Sequence, residues 1–219
     1  MGLRSAAEFK EGLRDGRVVF YRGTRVEDVT THHDLGIGVE HVALDFELAE
    51  DSDHQDLMTW MDPGLNEQIS RYFKTPVDSG DLLNRREMIE RSTRLGGSVV
   101  LLIKEIGTDA LFALDLVTDH LDKNAGGAYN ARVQAFHQEC KIRDLSLAVA
   151  QTDVKGDRSL NPSEQEHPDY YVRIVEERED GIVVRGAKAH TTCAPYVDEL
   201  IILPTRAVKE EDAAYAVAF

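Results

Sequence analysis

The sequence predicts an α+β protein, with a helical N-terminal domain at residues 1–150 followed by an antiparallel β domain at residues 151–219. Two observations lead to this prediction. Apolar residues recur at helical spacing through most of the first part, whereas the second part consists of short β-branched and aromatic runs. The 219 residues, 42% of them hydrophobic, also suffice to bury a core in one large domain or two small ones.

The N-terminal part begins with a short amphipathic helix and a hairpin. SAAEFKEGLRDG has Ser5 as a helix N-cap and Gly16 as a stop signal. RVVFYRGTRVEDV then predicts two short strands that turn at Arg22 and Gly23.

Four longer helices are expected after the hairpin. EHVALDFELAED carries Val42, Phe46 and Ala49 at helical spacing, and DSGDLLNRREMIERSTRLGG runs from an acidic or serine cap to a Gly-Gly stop. One stripe of the second helix is expected to hold Leu82, Arg86, Ile89 and Thr93. A third helix starts at Thr108, and the fourth follows from AYNARVQAFHQEC to about Ala150.

After Ala150 the hydrophobic period changes to that of strands. The runs DYYVRIVEERED, GIVVRGAKAH, DELIILPTRAV and AAYAVAF have strand length, and the first two meet at a hairpin signal, Glu179-Asp180-Gly181. About four strands are too few for a closed barrel, so we expect an incomplete β-barrel. Either a partner chain completes this domain, or the sequence is a fragment of a longer protein.

The composition excludes several classes of function. A formal net charge of −15 argues against binding to nucleic acid or to an anionic membrane. Neither a membrane-spanning apolar run nor a signal peptide is apparent, which predicts a cytoplasmic protein. Cys140 and Cys193 are the two cysteines, and we expect both to be reduced thiols.

The segment QTDVKGDRSLNPSEQ, residues 151–165, is the first candidate site. Lys155 and Arg158 supply cations, Gly156 permits close backbone approach, and Ser159 is a donor, so the loop could bind an anionic or polar ring system. The alternative is a structural crossover in which Asp157 and Arg158 pair with each other.

RGAKAHTTC is the second candidate site. It places four donors at a strand end, where ligands are often bound: Lys188, His190, Thr191 and Thr192. The alternative is a solvated strand end with His190 bonded to the backbone.

Two histidine patterns are weaker signals. His32-His33 is better explained as a loop cap than as a metal pair, and His137 with Cys140 as a half-buried helix face. We therefore expect no metal site.

Four stretches, in order, resemble the 4-hydroxyphenylacetate 3-hydroxylase family, which includes 4-hydroxybutyryl-CoA dehydratase: FYRGTRVEDVTTH, TDVKGDRSLNPSEQ, DYYVRIVEEREDGIVVRGAKAHTT and DELIILPTRAV. The resemblance implies the acyl-CoA dehydrogenase architecture, which has a helical N-terminal domain, a β-barrel middle domain and a C-terminal helical bundle. This sequence would supply the first domain and most of the second, and would lack the bundle.

The resemblance also implies FAD as the cofactor. The positions that match its flavin contacts are Gln151, Thr152, Lys155, Gly156, Asp157, Arg158, His190, Thr191 and Thr192. Donors near the flavin ring would stabilise its anionic reduced form, and cations would meet the phosphates.

At the positions where each branch of the family has its catalytic residues, this sequence has other residues. The dehydratase branch has two iron-sulfur cysteines where Leu101 and Glu105 stand here. The hydroxylase branch has an arginine, a tyrosine and a histidine, which correspond to Lys104, Thr108 and Val149. The resemblance thus leaves Lys104 and His190 as the catalytic candidates, with Lys104 orienting an anionic substrate.

The resemblance implies a flavin-dependent oxidoreductase, for which we expect an aromatic monooxygenase that uses reduced FAD from a separate flavin reductase. Two alternatives remain: a dehydratase or vinylacetyl-CoA isomerase relative without the cluster, and a non-catalytic subunit or fragment. The expected partners are an aromatic or acyl-CoA substrate, a second chain that supplies the helical bundle, and further copies of the chain in a homo-oligomer.

Overall fold

A computed structural model describes residues 2–101 and 103–219. The chain divides into two compact units, Met1–Leu147 with Pro195–Glu199, and Ala148–Ala194 with Leu200–Phe219. The domain boundary placed at residue 150 from the sequence stays a prediction. Among the described residues, no helix is both long and apolar enough to cross a membrane.

The first unit is mainly helical. Its helices are α1 (Ala6–Gly12), α2 (Leu35–Glu50), α3 (Gln55–Met58), α4 (Ser79–Leu95), α5 (Glu105–Ala125) and α6 (Tyr129–Arg143). Two antiparallel hairpins accompany them, β1 (Val19–Tyr21) with β2 (Thr24–Val26), and β3 (Thr59–Asp62) with β4 (Glu67–Ser70). A 3₁₀ helix, Arg71–Phe73, follows β4.

The predicted Ser5 cap and Arg22–Gly23 turn are confirmed, whereas the expected helix stop at Gly16 is wrong. Ser5 forms a capping box with Glu8, which satisfies free amides in the first turn of α1. The helix ends at Gly12, before the expected stop at Gly16. In the hairpin, Arg22 and Gly23 have φ of 50° and 82°, because a two-residue turn with the twist of the strands needs positive φ at both positions.

The core of the first unit packs α2 against α1, α3 and α4. Phe9 and Phe46 stack with ring centroids 4.5 Å apart. A neighbouring cluster of buried side chains contains Leu48, Ala49, Met58, Tyr72 and Met88. As predicted from the helical spacing, Val42, Phe46 and Ala49 are buried.

The expected stripe of α4 is wrong by one position. The buried face holds Asp81, Arg85, Met88 and Ser92, whereas Leu82 is 59% exposed. Polar side chains can occupy this face because each has a partner: Asp81 pairs with Lys74, and Arg85 donates to the carbonyl of Glu105 at 2.7 Å. The spacing of apolar residues therefore predicted the wrong buried face for α4.

Two further assignments in the first 150 residues are corrected. The β3–β4 hairpin was not predicted, and the helix expected to reach Ala150 ends at Arg143. Asp144 adopts a left-handed conformation at φ 50° and stops α6. The next apolar run becomes a strand, β5 (Leu147–Ala150), which pairs with β8 (Glu199–Ile202).

The second unit consists of short strands, turns and 3₁₀ helices. β6 (Arg173–Arg178) and β7 (Gly181–Arg185) form the antiparallel hairpin predicted at Glu179–Asp180. The expected strand AAYAVAF is wrong, because a 3₁₀ helix covers Glu210–Tyr215, and Phe219 alone exchanges backbone hydrogen bonds with Ile202. The described strands form two-stranded sheets and no closed barrel.

Candidate functional site

The loop of residues 151–158 is held in shape by a glutamine. The side-chain oxygen of Gln165 accepts from the amide of Asp157 at 3.0 Å, and its amide nitrogen donates to the Asp157 carbonyl at 2.7 Å. The amide of Val154 also donates to the carbonyl of Tyr170 at 3.1 Å. These bonds satisfy backbone groups that no regular strand pairs.

Gly156 is required at its position. Its φ is 56°, next to Lys155 at 78°, and both lie in the left-handed region. A Cβ atom on Gly156 would collide with the side-chain oxygen of Gln165 and approach the Tyr170 ring to 2.7 Å. The glycine therefore provides the left-handed turn and leaves room for Gln165 and Tyr170, whereas its predicted close approach to a ligand stays a prediction.

The alternative pairing of Asp157 with Arg158 is not found. The Asp157 carboxylate accepts from the amide of Ser159 at 2.9 Å and from its hydroxyl at 2.7 Å, which lowers the pKa of Asp157. Arg158 is exposed, and its guanidinium has no hydrogen-bond or ion-pair partner among the described residues. The cation is thus available to a ligand.

The second predicted segment lies beside the loop. Ala189 donates its amide to the carbonyl of Thr152 at 2.8 Å, and Asp153 forms a β-bridge with Lys188. His190 and Cys193 have φ of 54° and 63°, an uncommon conformation for residues other than glycine. The structure therefore brings together the two segments that the sequence put forward separately.

Several side chains of these two segments have unused hydrogen-bonding groups. Within the part of the chain that the structure describes, the following make no side-chain hydrogen bond or ion pair: Gln151, Thr152, Lys155, Arg158, His190, Thr191 and Thr192. Gln151, Arg158, His190 and Thr192 are exposed, and the others are half-buried. The region offers two cations, hydroxyls and an imidazole to a polar or anionic ligand. Burial raises the pKa of the Cys193 thiol, which disfavours a reactive thiolate there.

Lys104 lies in the first unit, and its ammonium group already has contacts within the protein. The side chain is fully buried, its ammonium group is 2.7 Å from the Asp144 carboxylate, and the same nitrogen lies 3.8 Å from the Phe46 ring centroid. These contacts favour a structural role over the substrate-orienting role expected from the resemblance. The assignment of Lys104 as a catalytic residue stays a prediction.

The other positions that the resemblance matches to catalytic residues of the two branches are buried or partly buried. Leu101 is fully buried, and Thr108 accepts a hydrogen bond from Arg85 at 2.8 Å. Glu105 begins α5, and burial raises the pKa of its carboxyl. Val149 is a half-buried residue of β5.

Both weaker histidine signals have structural explanations, as expected. His32 Nδ1 accepts the amides of Asp34 and Leu35 at 3.2 Å, so this residue caps the start of α2. His137 Nε2 lies 3.2 Å from the Phe73 carbonyl, and burial raises the pKa of Cys140 to about 12. Over residues 2–101 and 103–219, no group of three or more His, Cys, Asp or Glu side chains could hold a metal ion.

Sequence reasoning missed the residues that support the site. Gln165 and Tyr170 shape the loop, and Thr205 donates to the carboxylate of Asp153. Asp153 and Thr205 are separated by 52 positions, and no local pattern announces such a contact. The turn-rich composition of residues 151–165 was the single available signal.

Comparison with known proteins defines the class. Residues 5–219 match the model of the 4-hydroxyphenylacetate 3-hydroxylase N-terminal family, and the chain belongs to this family. It is 36% identical over 219 residues to the 4-hydroxybutyryl-CoA dehydratase/vinylacetyl-CoA-Δ-isomerase of Clostridium aminobutyricum, covering 99% of this chain and 44% of that protein. It is 29% identical over 213 residues to the oxygenase component of a 4-nitrophenol 4-monooxygenase of Rhodococcus opacus, covering 91% and 39%.

Solved structures give the same two branches. A 4-hydroxybutyryl-CoA dehydratase from N. maritimus matches with a TM-score of 0.90 and 28% identity, over 99% of this chain and 43% of that one. The oxygenase component of 4-hydroxyphenylacetate 3-monooxygenase complexed with FAD matches with a TM-score of 0.83 and 26% identity, over 99% and 44%. The chain thus spans less than half the length of these relatives.

Proposed function

We propose that this chain is the part of a flavin-dependent oxidoreductase that binds FAD through its second unit. The observation that carries the proposal is the adjacency of two segments with unpaired polar side chains, residues 151–158 and 190–192, joined by the hydrogen bond from Ala189 to Thr152. Membership of the family and the FAD-bound neighbour support the choice of ligand. The proposed fold of the whole protein is that of the acyl-CoA dehydrogenases.

The residues of the second unit fit FAD chemically. Lys155 and Arg158 would meet the phosphates, because neither cation has a side-chain partner among the residues that the structure describes. Thr191 and Thr192 would donate hydrogen bonds to the flavin, and His190 would support them from a left-handed backbone position. Gly156 would let the loop backbone approach the cofactor. Bound FAD would supply the redox chemistry that no protein side chain provides.

The reaction that we propose is the hydroxylation of an aromatic substrate with reduced FAD supplied by a flavin reductase. The 4-nitrophenol enzyme is an oxygenase component, which supports a partner that delivers reduced flavin. The substrate-orienting role of Lys104 stays a prediction from the resemblance, and its bond to the Asp144 carboxylate favours a structural role instead.

An iron-sulfur cluster of the dehydratase type does not fit the described residues. The resemblance places Leu101 and Glu105 at the positions of that branch's cysteines, and neither side chain provides a thiolate. Leu101 is also fully buried. The proposed reaction therefore does not use such a cluster.

A dehydratase or isomerase that acts on an acyl-CoA without the cluster is the second candidate. Two observations favour it, the 36% identity to the C. aminobutyricum enzyme and the TM-score of 0.90 with the N. maritimus enzyme. Turnover of 4-hydroxybutyryl-CoA without oxygen would support this candidate. Oxygen-dependent hydroxylation of a phenol with reduced FAD would support the monooxygenase. A non-catalytic subunit would catalyse neither of these two reactions.

The cofactor assignment is tested by titrating the naturally encoded protein with FAD. We expect Arg158→Ala and Thr192→Ala each to weaken FAD binding about tenfold, as the loss of a charge-assisted or buried hydrogen bond does. Arg178→Ala is the matched control, because Arg178 is an exposed arginine of the β6–β7 hairpin that pairs with Glu176. Unchanged affinity in both site variants would refute the assignment.

A further inference from the structure

Lys188 is a lysine whose ammonium group is completely engaged. Its Nζ donates to the Asp153 carboxylate at 2.6 Å, to the Leu203 carbonyl at 2.8 Å and to the Gln151 carbonyl at 2.9 Å. A lysine ammonium has three donors, so none remains for a ligand. The side chain retains 9% of its exposure, and that of Asp153 retains 3%.

The carboxylate of Asp153 is held from both sides. One oxygen accepts from Lys188, and the other accepts from the hydroxyl of Thr205. We call Lys188, Asp153 and Thr205 the Lys188 cluster. It joins three chain segments, which contain residues 151–153, 188 and 203–205.

Few other contacts hold the first two of these segments together. The backbone contributes the Asp153–Lys188 bridge and the bond from Ala189 to Thr152, and no continuous ladder joins the segments. The proposed flavin contacts begin at Gln151 on one segment and at His190, two residues after Lys188, on the other. A displacement of the Lys188 side chain would therefore move both groups of contacts.

The energetics also point to a geometric role. A buried ion pair gains little net stability, because the cost of removing both charges from water offsets their attraction. A pair that fixes two irregular segments instead determines where their exposed side chains point. The cluster has the satisfied hydrogen bonds that such a buried network requires.

We propose that Lys188 is a positioning residue for the flavin site, which acts through Asp153 and the Gln151 carbonyl without touching the cofactor. This inference rests on the proposed function. It adds that affinity for FAD and the electronic environment of the flavin depend on a side chain that is not itself a ligand.

The test compares Lys188→Met with Lys141→Met in the protein as its natural gene encodes it. Lys141 forms an ion pair of similar length, 2.8 Å, with Asp62 in the first unit. We expect both variants to lose thermal stability. We expect Lys188→Met alone to weaken FAD binding about tenfold and to shift the visible absorption of the bound flavin. Lys188→Arg, which keeps the charge, should restore part of the affinity.

The outcomes separate the two proposals. If the wild-type protein binds no FAD, the proposed function fails and this inference falls with it. If the wild type binds FAD and Arg158→Ala weakens binding, but a folded Lys188→Met variant keeps full affinity and an unchanged spectrum, this inference alone is overturned. Should Lys188→Met not fold, Thr205→Val decides, because it removes one bond to Asp153. About threefold weaker binding supports the inference, and unchanged affinity overturns it.

Discussion

The two units each contain a buried lysine–aspartate pair, and the surroundings of the pairs differ. Lys104 and Asp144 lie in the helical unit, where the ammonium group faces the Phe46 ring and both side chains are almost fully buried. Lys188 and Asp153 lie in the second unit, where the other partners are backbone carbonyls and a threonine hydroxyl. The Lys104–Asp144 pair is enclosed by a core, whereas the Lys188–Asp153 pair joins irregular segments of the chain.

Because their surroundings differ, we expect the Lys104–Asp144 pair to contribute mainly to stability and the Lys188–Asp153 pair to contribute also to the geometry of the site. Around Lys104, helices and aromatic packing already fix the backbone, so loss of the lysine leaves the buried Asp144 carboxylate without its cation. Around Lys188, the backbone has few alternative restraints, so loss of the lysine displaces loop residues. Loss of either lysine should therefore lower stability, but loss of Lys188 should in addition weaken cofactor binding.

The largest effect is expected from Lys104→Met. The variant leaves Asp144 buried without its cation, which should lower the free energy of unfolding by about 3–5 kcal/mol. Denaturant unfolding followed by circular dichroism measures this loss.

A double variant distinguishes the structural role of Lys104 from substrate binding. Lys104→Met with Asp144→Asn removes both charges, and asparagine tolerates the left-handed backbone at position 144. If stability returns together with the KM for substrate, Lys104 is structural. A KM that stays raised after stability returns would establish the substrate-orienting role.

The next effect concerns Asp45, a neighbour of the Lys104 pair. Burial raises the pKa of Asp45 to about 7, although the positive charge of Lys104 opposes the shift. One carboxylate oxygen lies 3.4 Å from the Tyr72 hydroxyl, and the other has no partner. Asp144 and Glu105 add further negative charge nearby. The protonated form is therefore favoured in the folded state.

The sign of the pH dependence follows from this direction. Because the folded pKa exceeds the ordinary value of 3.8, the stabilising contribution is present below about pH 4 and is lost as the pH rises through 7. Asp45→Asn should remove this loss, which amounts to at most about 4 kcal/mol. Unfolding free energies of both proteins between pH 4 and 8 measure it. Parallel pH profiles would contradict the prediction.

The smallest effect on folding is expected from Gly156→Ala in the second unit. The alanine would adopt positive φ and press on Gln165 and Tyr170, which should cost about 1–3 kcal/mol. FAD affinity should fall as the loop moves. Gly181→Ala is the control, because no atom lies within 4 Å of its added Cβ. Equal FAD affinity in the two variants would show that the loop does not contribute to binding.

Local sequence signals predicted the elements that depend on local forces. The Ser5 cap, the turn at Arg22–Gly23 and the hairpin at Glu179–Asp180 all formed as expected. Each rests on a side chain or backbone preference that acts over a few residues. The failures occurred where distant contacts decided, as in the buried face of α4 and the strand β5.

The sequence put forward residues on the two adjacent segments but missed the residues that support them. Lys155, Gly156, Arg158 and His190 stood out because cations, glycine and turn residues concentrate in short segments. Thr205 and Gln165 did not, because an isolated threonine or glutamine carries no signal until its distant partner is known. The resemblance to a family suggested FAD as the proposed ligand, which composition alone left open.

The sequence by itself determined the order of a helical part and a β-rich part, the local caps and turns, and the two segments that carry unpaired donors. Only the tertiary structure decided that these segments lie side by side, that Lys188 joins them, and that Lys104 is buried against Asp144. The reason is physical. Caps and turns depend on neighbours in the chain, whereas the position of a buried charge depends on partners 35 or 40 residues away.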